Sequence, residues 1–169
     1  MVLVTDEIDR DPTRLGSAFG LLAAIVAAMT GLAYSGIGGM SGVLGVVLLA
    51  MGLMLPRPGL ISVGTLGLLG GVLLAGVSGA SPLVVLPGTV AAVMAWDISH
   101  NAASHGRQVG TRATTIRAEG MHALATVFVG SLAAGIAYGI YVSATGGQPV
   151  TAVALLAVAS VLLVFAIRD

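Results

Sequence analysis

Asp97 and His100 stand three residues apart, and so do Glu119 and His122. On a helix that spacing places each carboxylate and its imidazole on one face. Two antiparallel helices carrying such pairs could bring all four groups together. Carboxylate-x-x-His pairs on facing helices are the way di-iron bundles present their ligands. Asp97, His100, Glu119 and His122 are therefore the candidate metal ligands of this chain. Two considerations weigh against that chemistry. Di-iron sites draw further carboxylates from two more helices, and the apolar runs elsewhere in the chain hold none. His100 and His105 are five apart and point away from each other on a helix. The plainer reading, local carboxylate–imidazole pairs or helix caps, is the one expected, with no cofactor and no resident metal.

Between those pairs lie Arg107, Arg112 and Arg117, with Gly106 and Gly110 as punctuation. These arginines are candidates to dock a soluble partner or anionic lipid headgroups. The competing role is orientation of the chain in a bilayer, with pairing to Asp97 and Glu119. Other chemistry is scarce. There is no cysteine, which removes disulfides, thiolate metal sites and thiol nucleophiles together. No phosphate loop or dinucleotide fingerprint is present; Gly67-Leu68-Leu69-Gly70-Gly71 lies in an apolar run with no strand before it. The formal net charge is zero, so nucleic acid is not an expected partner. The expectation is a protein that is not an enzyme.

The elements that carry these residues are membrane elements. Of the 169 residues 57% are hydrophobic and 8% charged, and the mean hydropathy is +1.05. A soluble domain carries about 25% charged residues, so this chain cannot clothe itself in a solvated surface and must use the bilayer as solvent. Hydrophobicity alone marks runs at 15–34, 37–55, 60–77, 82–96, 121–143 and 150–167. The first is too long, and its leader too acidic, for a cleaved signal peptide. The fourth is short and contains Pro87, which removes a helical hydrogen bond and predicts a kink. Extending it through Asp97 to His100 gives it adequate length.

Charge placement supports counting it as a span. All seven basic residues are arginines: Arg10, Arg14, Arg57, Arg107, Arg112, Arg117 and Arg168. They fall before the first run or after the second, fourth or sixth. With six crossings they share one side, which the positive-inside rule assigns to the cytoplasm. The other side has neutral Gly/Ser turns at 35–36, 78–81 and 144–148. Tyr34, Tyr138 and Tyr141 sit near the outer ends and Trp96 near an inner end, as interfacial rings should. The expected fold is an all-α integral membrane helical bundle. It has six transmembrane helices arranged as three hairpins and both termini in the cytoplasm. An acidic tail, 1–14, precedes a single domain, 15–169, whose inner loop is about 97–120.

Small residues at four-residue spacing predict how the helices pack. Gly16, Gly20, Ala24 and Ala28 line the first run, Gly67, Gly71 and Ala75 the third, and Ser131, Gly135, Gly139 and Ser143 the fifth. Such stripes let backbones approach in lipid, where no hydrophobic drive joins helices. They predict packing within one bundle ahead of a homo-oligomer seam, and Gly135→Leu is expected to disrupt packing in either case. The mid-helix hydroxyls Thr30, Ser62, Thr65, Thr89, Thr126 and Ser131 can each bond back to their own helix. The runs contain no Asp, Glu, Lys or Arg, which disfavours a solute transporter. Pro87-Gly88 is the one candidate for an unwound mid-membrane site.

The stretch Ala95-Trp96-Asp97, the Gly106-Arg107-Gln108-Val109-Gly110 turn and Arg117-Ala118-Glu119-x-x-His122 together resemble an uncharacterised haloarchaeal family of small multi-pass membrane proteins. The resemblance is concentrated in about 28 residues and elsewhere is one of hydrophobic pattern. The acidic leader and the absence of lysine fit a halophile. Members of that family resemble products of gene clusters encoding a MoxR-type ATPase, a von Willebrand A-like protein and a transglutaminase-like membrane protein. The resemblance implies an archaeal accessory role in a membrane-linked chaperone or envelope-maturation system, and it assigns no catalytic residue. Three readings follow. The first is a non-enzymatic accessory or scaffold subunit in the cell membrane, engaging a cytoplasmic or membrane protein partner through 97–122. The second is a small channel or permease lined by Gly and Ser/Thr faces. The third is a metal-dependent membrane enzyme at the cytoplasmic edge.

Overall fold

A computed structural model of the chain describes residues 12–55, 57–109 and 116–143; the side chains of 105–109, 116, 118 and 119 lie outside that description. Among the described residues there are five helices and no strand: α1 Arg14–Tyr34, α2 Gly36–Met54, α3 Pro58–Val77, α4 Pro82–Val109 and α5 Ile116–Ser143. All five contain a segment long and apolar enough to cross a membrane. The architecture is thus all-α with five helices rather than six, and the expected sixth run, 150–167, lies outside the described residues. Residues to Gly135 form one compact unit; the chain from Ile136 forms a second, of which the end of α5 is described.

Local chemistry sets the turns. One residue, Ser35, joins α1 to α2. Its backbone N–H closes α1 on Gly31 O at 3.0 Å, and its hydroxyl caps α2 by accepting from the Gly38 N–H at 3.1 Å. Arg57 caps α3 and is followed by Pro58 at the first helical position, where the missing N–H costs nothing. After α3 the Ala80 N–H reaches Ala75 O at 3.0 Å and the Gly79 N–H reaches Gly76 O at 3.1 Å. This Schellman pairing requires a left-handed residue, and Gly79 supplies it at φ 95°.

The core is built from glycine and alanine. Helix α1 packs on α2, α3 and α4; α3 packs on α2 and α4; α2 and α4 scarcely touch. Gly16, Gly20, Ala24 and Ala28 are all buried, so the small-residue stripe of α1 is an internal seam. A Cβ placed on Gly45 of α2 would lie 2.6 Å from the Gly64 carbonyl oxygen of α3, and a Cβ on Gly64 would lie 2.6 Å from that of Gly45. Gly31, Gly38 and Gly71 make a similar junction of α1, α2 and α3, where a Cβ on Gly31 would meet Gly38 O at 2.6 Å and Gly71 O at 3.2 Å. Leu49, Ile61, Leu68 and Val72 fill the space between these contacts. Ser41 adds a hydrogen bond across the seam, its hydroxyl donating to Gly67 O at 2.8 Å.

Four expectations need correction. The segment 97–120 is mostly helix, with α4 continuing to Val109 and α5 starting at Ile116. Its polar residues carry no proline, and Ile98, Ser99, Ala102 and Ala103 are buried, so packing favours helix where hydropathy suggested a loop. Asp97 consequently lies inside an apolar span, Pro82–Ser104, and His122 lies inside Gly120–Ser143. The statement that the spans hold no acidic residue therefore fails. Pro87-Gly88 is no break: α4 runs through it, and Gly88 is buried beside Thr30 of α1. Finally, no described atom lies within 4 Å of a Cβ placed on Gly135 or Gly139. Ser131, Gly135, Gly139 and Ser143 are all exposed, so Gly135→Leu has no described neighbour to displace.

Candidate functional site

Helix direction gathers the polar residues at one end. The Thr13 N–H donates to Ala102 O at 3.3 Å, which sets the start of α1 beside the polar part of α4. Ser62, one turn into α3, meets His100 of α4, and His122, near the start of α5, meets Asp97. Arg14, Arg57 and Arg117 are exposed at this same end, and the Ser35 and 78–81 turns lie at the other.

Asp97 is the centre of the site. Its Oδ2 accepts from the Thr126 hydroxyl at 2.7 Å, and His122 Nε2 lies 2.9 Å from the same oxygen. The imidazole nitrogen is close without being aligned as a hydrogen bond, so the contact is chiefly electrostatic. The Thr126 hydroxyl also lies 3.1 Å from the His122 carbonyl. It has one proton to give, and the shorter contact to a carboxylate is the stronger acceptor. Both side chains are partly open, at 41% for His122 and 31% for Asp97.

His100 turns the other way. Its Nδ1 lies 3.1 Å from Trp96 O and its Nε2 3.4 Å from the Ser62 hydroxyl, with the Trp96 ring centroid 4.9 Å away. A carbonyl only accepts, so Nδ1 carries a proton, and in the neutral ring Nε2 accepts from Ser62. Three residues along a helix is a rotation of about 300°. That offset lets Asp97 face α5 while His100 faces α3. Asp97 and His100 therefore face different helices. Among the described residues no group of three or more His, Asp or Glu side chains could hold a metal ion. The side chain of Glu119 lies outside the described residues, as do Arg112 and the side chain of Arg107. Asp97 meets His122 and Thr126; the arginine pairing expected for it involves Arg107 and Arg112, whose side chains lie outside the described residues.

Thr126 was legible only in half. Thr30, Thr65 and Thr89 bond back to their own helices as expected, while Ser62 and Thr126 lie within reach of their own helix carbonyls but turn their protons across to a neighbouring helix. The four-residue spacing of His122 and Thr126 was the available sign that both could meet one carboxylate. Ser99 gave no sign at all. It is fully buried against Gly20 with an unpartnered hydroxyl, at a place where α1 and α4 approach too closely for a side chain on residue 20.

Chemically, the arrangement is a polar clamp between two apolar helices. A carboxylate, an imidazole and a hydroxyl offset one another where lipid offers no partner. Five apolar helices, glycine-packed seams and a polar group bonded across them are the make-up of an integral membrane helical protein. The chain belongs to a family of unknown function (DUF7519), whose model matches residues 10–164. No curated protein and no solved structure matches it.

Proposed function

We propose that this protein is a non-enzymatic membrane subunit that docks a partner through the tip of the α4–α5 hairpin. The observation that carries the reading is the length of the two helices. Helix α4 continues to Val109 and α5 starts at Ile116, so both helices run on into the arginine-bearing stretch of the chain. They carry Arg107 and Arg117, with Arg112 between them.

The topology that goes with this reading has six spans, the sixth at 150–167, with both termini and the arginine end in the cytoplasm. Three arginines in one short stretch suit an acidic protein surface, and the resemblance to MoxR-associated membrane proteins names an ATPase as the partner to look for first. The pore reading has less support. The glycine faces of α1, α2 and α3 that could line a passage are filled by neighbouring backbone. Changing Arg107, Arg112 and Arg117 together to Glu is expected to leave membrane insertion intact. It should reduce co-purification of partner chains from native membranes by about tenfold or more, because rim charges steer and select partners. Retention of the same partners by the triple variant would overturn the docking role.

A further inference from the structure

We infer that the Asp97–His122–Thr126 cluster is the latch of a movable helix, α5. The packing of α5 differs in kind from that of α1–α4. Those four helices bury residues along their seams, α1, α2 and α3 meeting backbone to backbone at glycine and α4 meeting α1 at Gly20 and Gly88. No residue of the Gly120–Ser143 span is buried. Its described contacts with the bundle are few in kind. A Cβ on Gly130 would meet Val90 of α4 at 2.8 Å, and two turns nearer the arginine end Asp97 takes Thr126 and His122.

Lipid surrounds an apolar helix as well as another helix does, so nothing hydrophobic holds α5 in place. What distinguishes the docked position is the polar contact, since an opened clamp leaves Asp97 without Thr126 and His122 in an apolar span. Among the described residues, one polar clamp near one end of a long helix, with one glycine contact beyond it, makes a latch above a hinge. His122 follows Arg117 by five residues on the same helix. Movement of α5 therefore alters the separation of the two helix ends at the hairpin tip. That consequence for docking rests on the reading above; the latch itself does not.

The chain has no cysteine, so spin labels can be placed singly. Leu22 on α1 and Leu124 on α5 are exposed, and Leu22 with Leu44 on α2 makes a control pair inside the bundle. Electron–electron distance measurements on the full chain in lipid nanodiscs should give one narrow Leu22–Leu124 distance. Asp97→Ala, and separately the near-isosteric Thr126→Val, should raise the fraction at longer distance about threefold to tenfold, the scale of one interhelical hydrogen bond in lipid. The Leu22–Leu44 distance should not change. An unchanged Leu22–Leu124 distribution in both variants would overturn the latch, as would a distribution equally broad without substitution. Broadening of the control pair in both variants would overturn it too, because the clamp would then hold the whole bundle.

Discussion

Gly64→Leu is expected to abolish assembly of the α2–α3 pair and with it the four-helix unit. The reason is what stands opposite. A Cβ on residue 64 would lie 2.6 Å from Gly45 O and 2.7 Å from the Leu49 N–H nitrogen, both backbone atoms of α2. A flexible side chain could turn aside, but a helix backbone can only translate, and translation would open the contacts of Leu49 and Leu68 on either side. Overpacking a core by single methylenes costs about 1–3 kcal/mol, and a whole isobutyl group against backbone exceeds that range. Chemical unfolding of the protein in detergent should show the loss, with Gly64→Ala intermediate. Gly135→Leu is the internal comparison. No described atom lies within 4 Å of a Cβ there, so the α1–α4 transition should not move. A Gly64→Leu protein that unfolds as the unsubstituted chain does would refute the packing.

Leu68→Ala and Leu66→Ala should separate by about 2 kcal/mol in the same assay. Leu68 is 0% exposed and Leu66 is 67% exposed, two residues apart on one helix. In water both would lose transfer energy on truncation. In lipid the unfolded reference is apolar as well, so the transfer part largely cancels and the cavity remains. Only Leu68 leaves a cavity, because it is enclosed by α2 and α3. At position 66 lipid closes over the missing atoms, and the change should fall within about 0.5 kcal/mol. Equal losses at the two sites would mean that the inward and outward faces of α3 are wrongly assigned.

That comparison also shows what could be read from residues alone. The apolar runs at 15–34, 37–55 and 60–77 match α1, α2 and α3 to within two residues at each end. The starts of α4 and the end of α5 match as well. The runs failed at the other ends of α4 and α5. Hydropathy reports where a run of apolar residues stops, and helical hydrogen bonding does not stop there: α4 carries on through 97–109 and α5 begins at 116. Which face of each helix turns inward was not legible from hydrophobicity, because leucine and valine surround every helix. It was legible from size: Gly16, Gly20, Ala24 and Ala28 mark the buried face of α1, and Gly71 and Ala75 that of α3. At Gly135 and Gly139 the small residues meet no described neighbour, and the sixth run, 150–167, lies outside the described residues.

The site was half legible for a related reason. Spacing along one helix placed Asp97 with His100 and Glu119 with His122. It could not say which group crosses to another helix. The structure sends Asp97 to α5 and His100 to α3, so the contact that forms is Asp97–His122. Drawing the fourth run to end at Trp96 left Asp97 outside the membrane by one residue. With α4 continuous, that carboxylate becomes an intramembrane group held by a hydroxyl and an imidazole.

The account rests on a chain that weaves through the bilayer with its arginine end inside. Single cysteines at Leu55, Ala80 and Gln108, in a protein that has none of its own, can be probed on intact cells with a thiol reagent that does not cross membranes. The account predicts labelling at Ala80→Cys in intact cells, and labelling at Leu55→Cys and Gln108→Cys only after the membrane is opened. Labelling of Gln108→Cys in intact cells, or of Leu55→Cys and Ala80→Cys under the same condition, would contradict it.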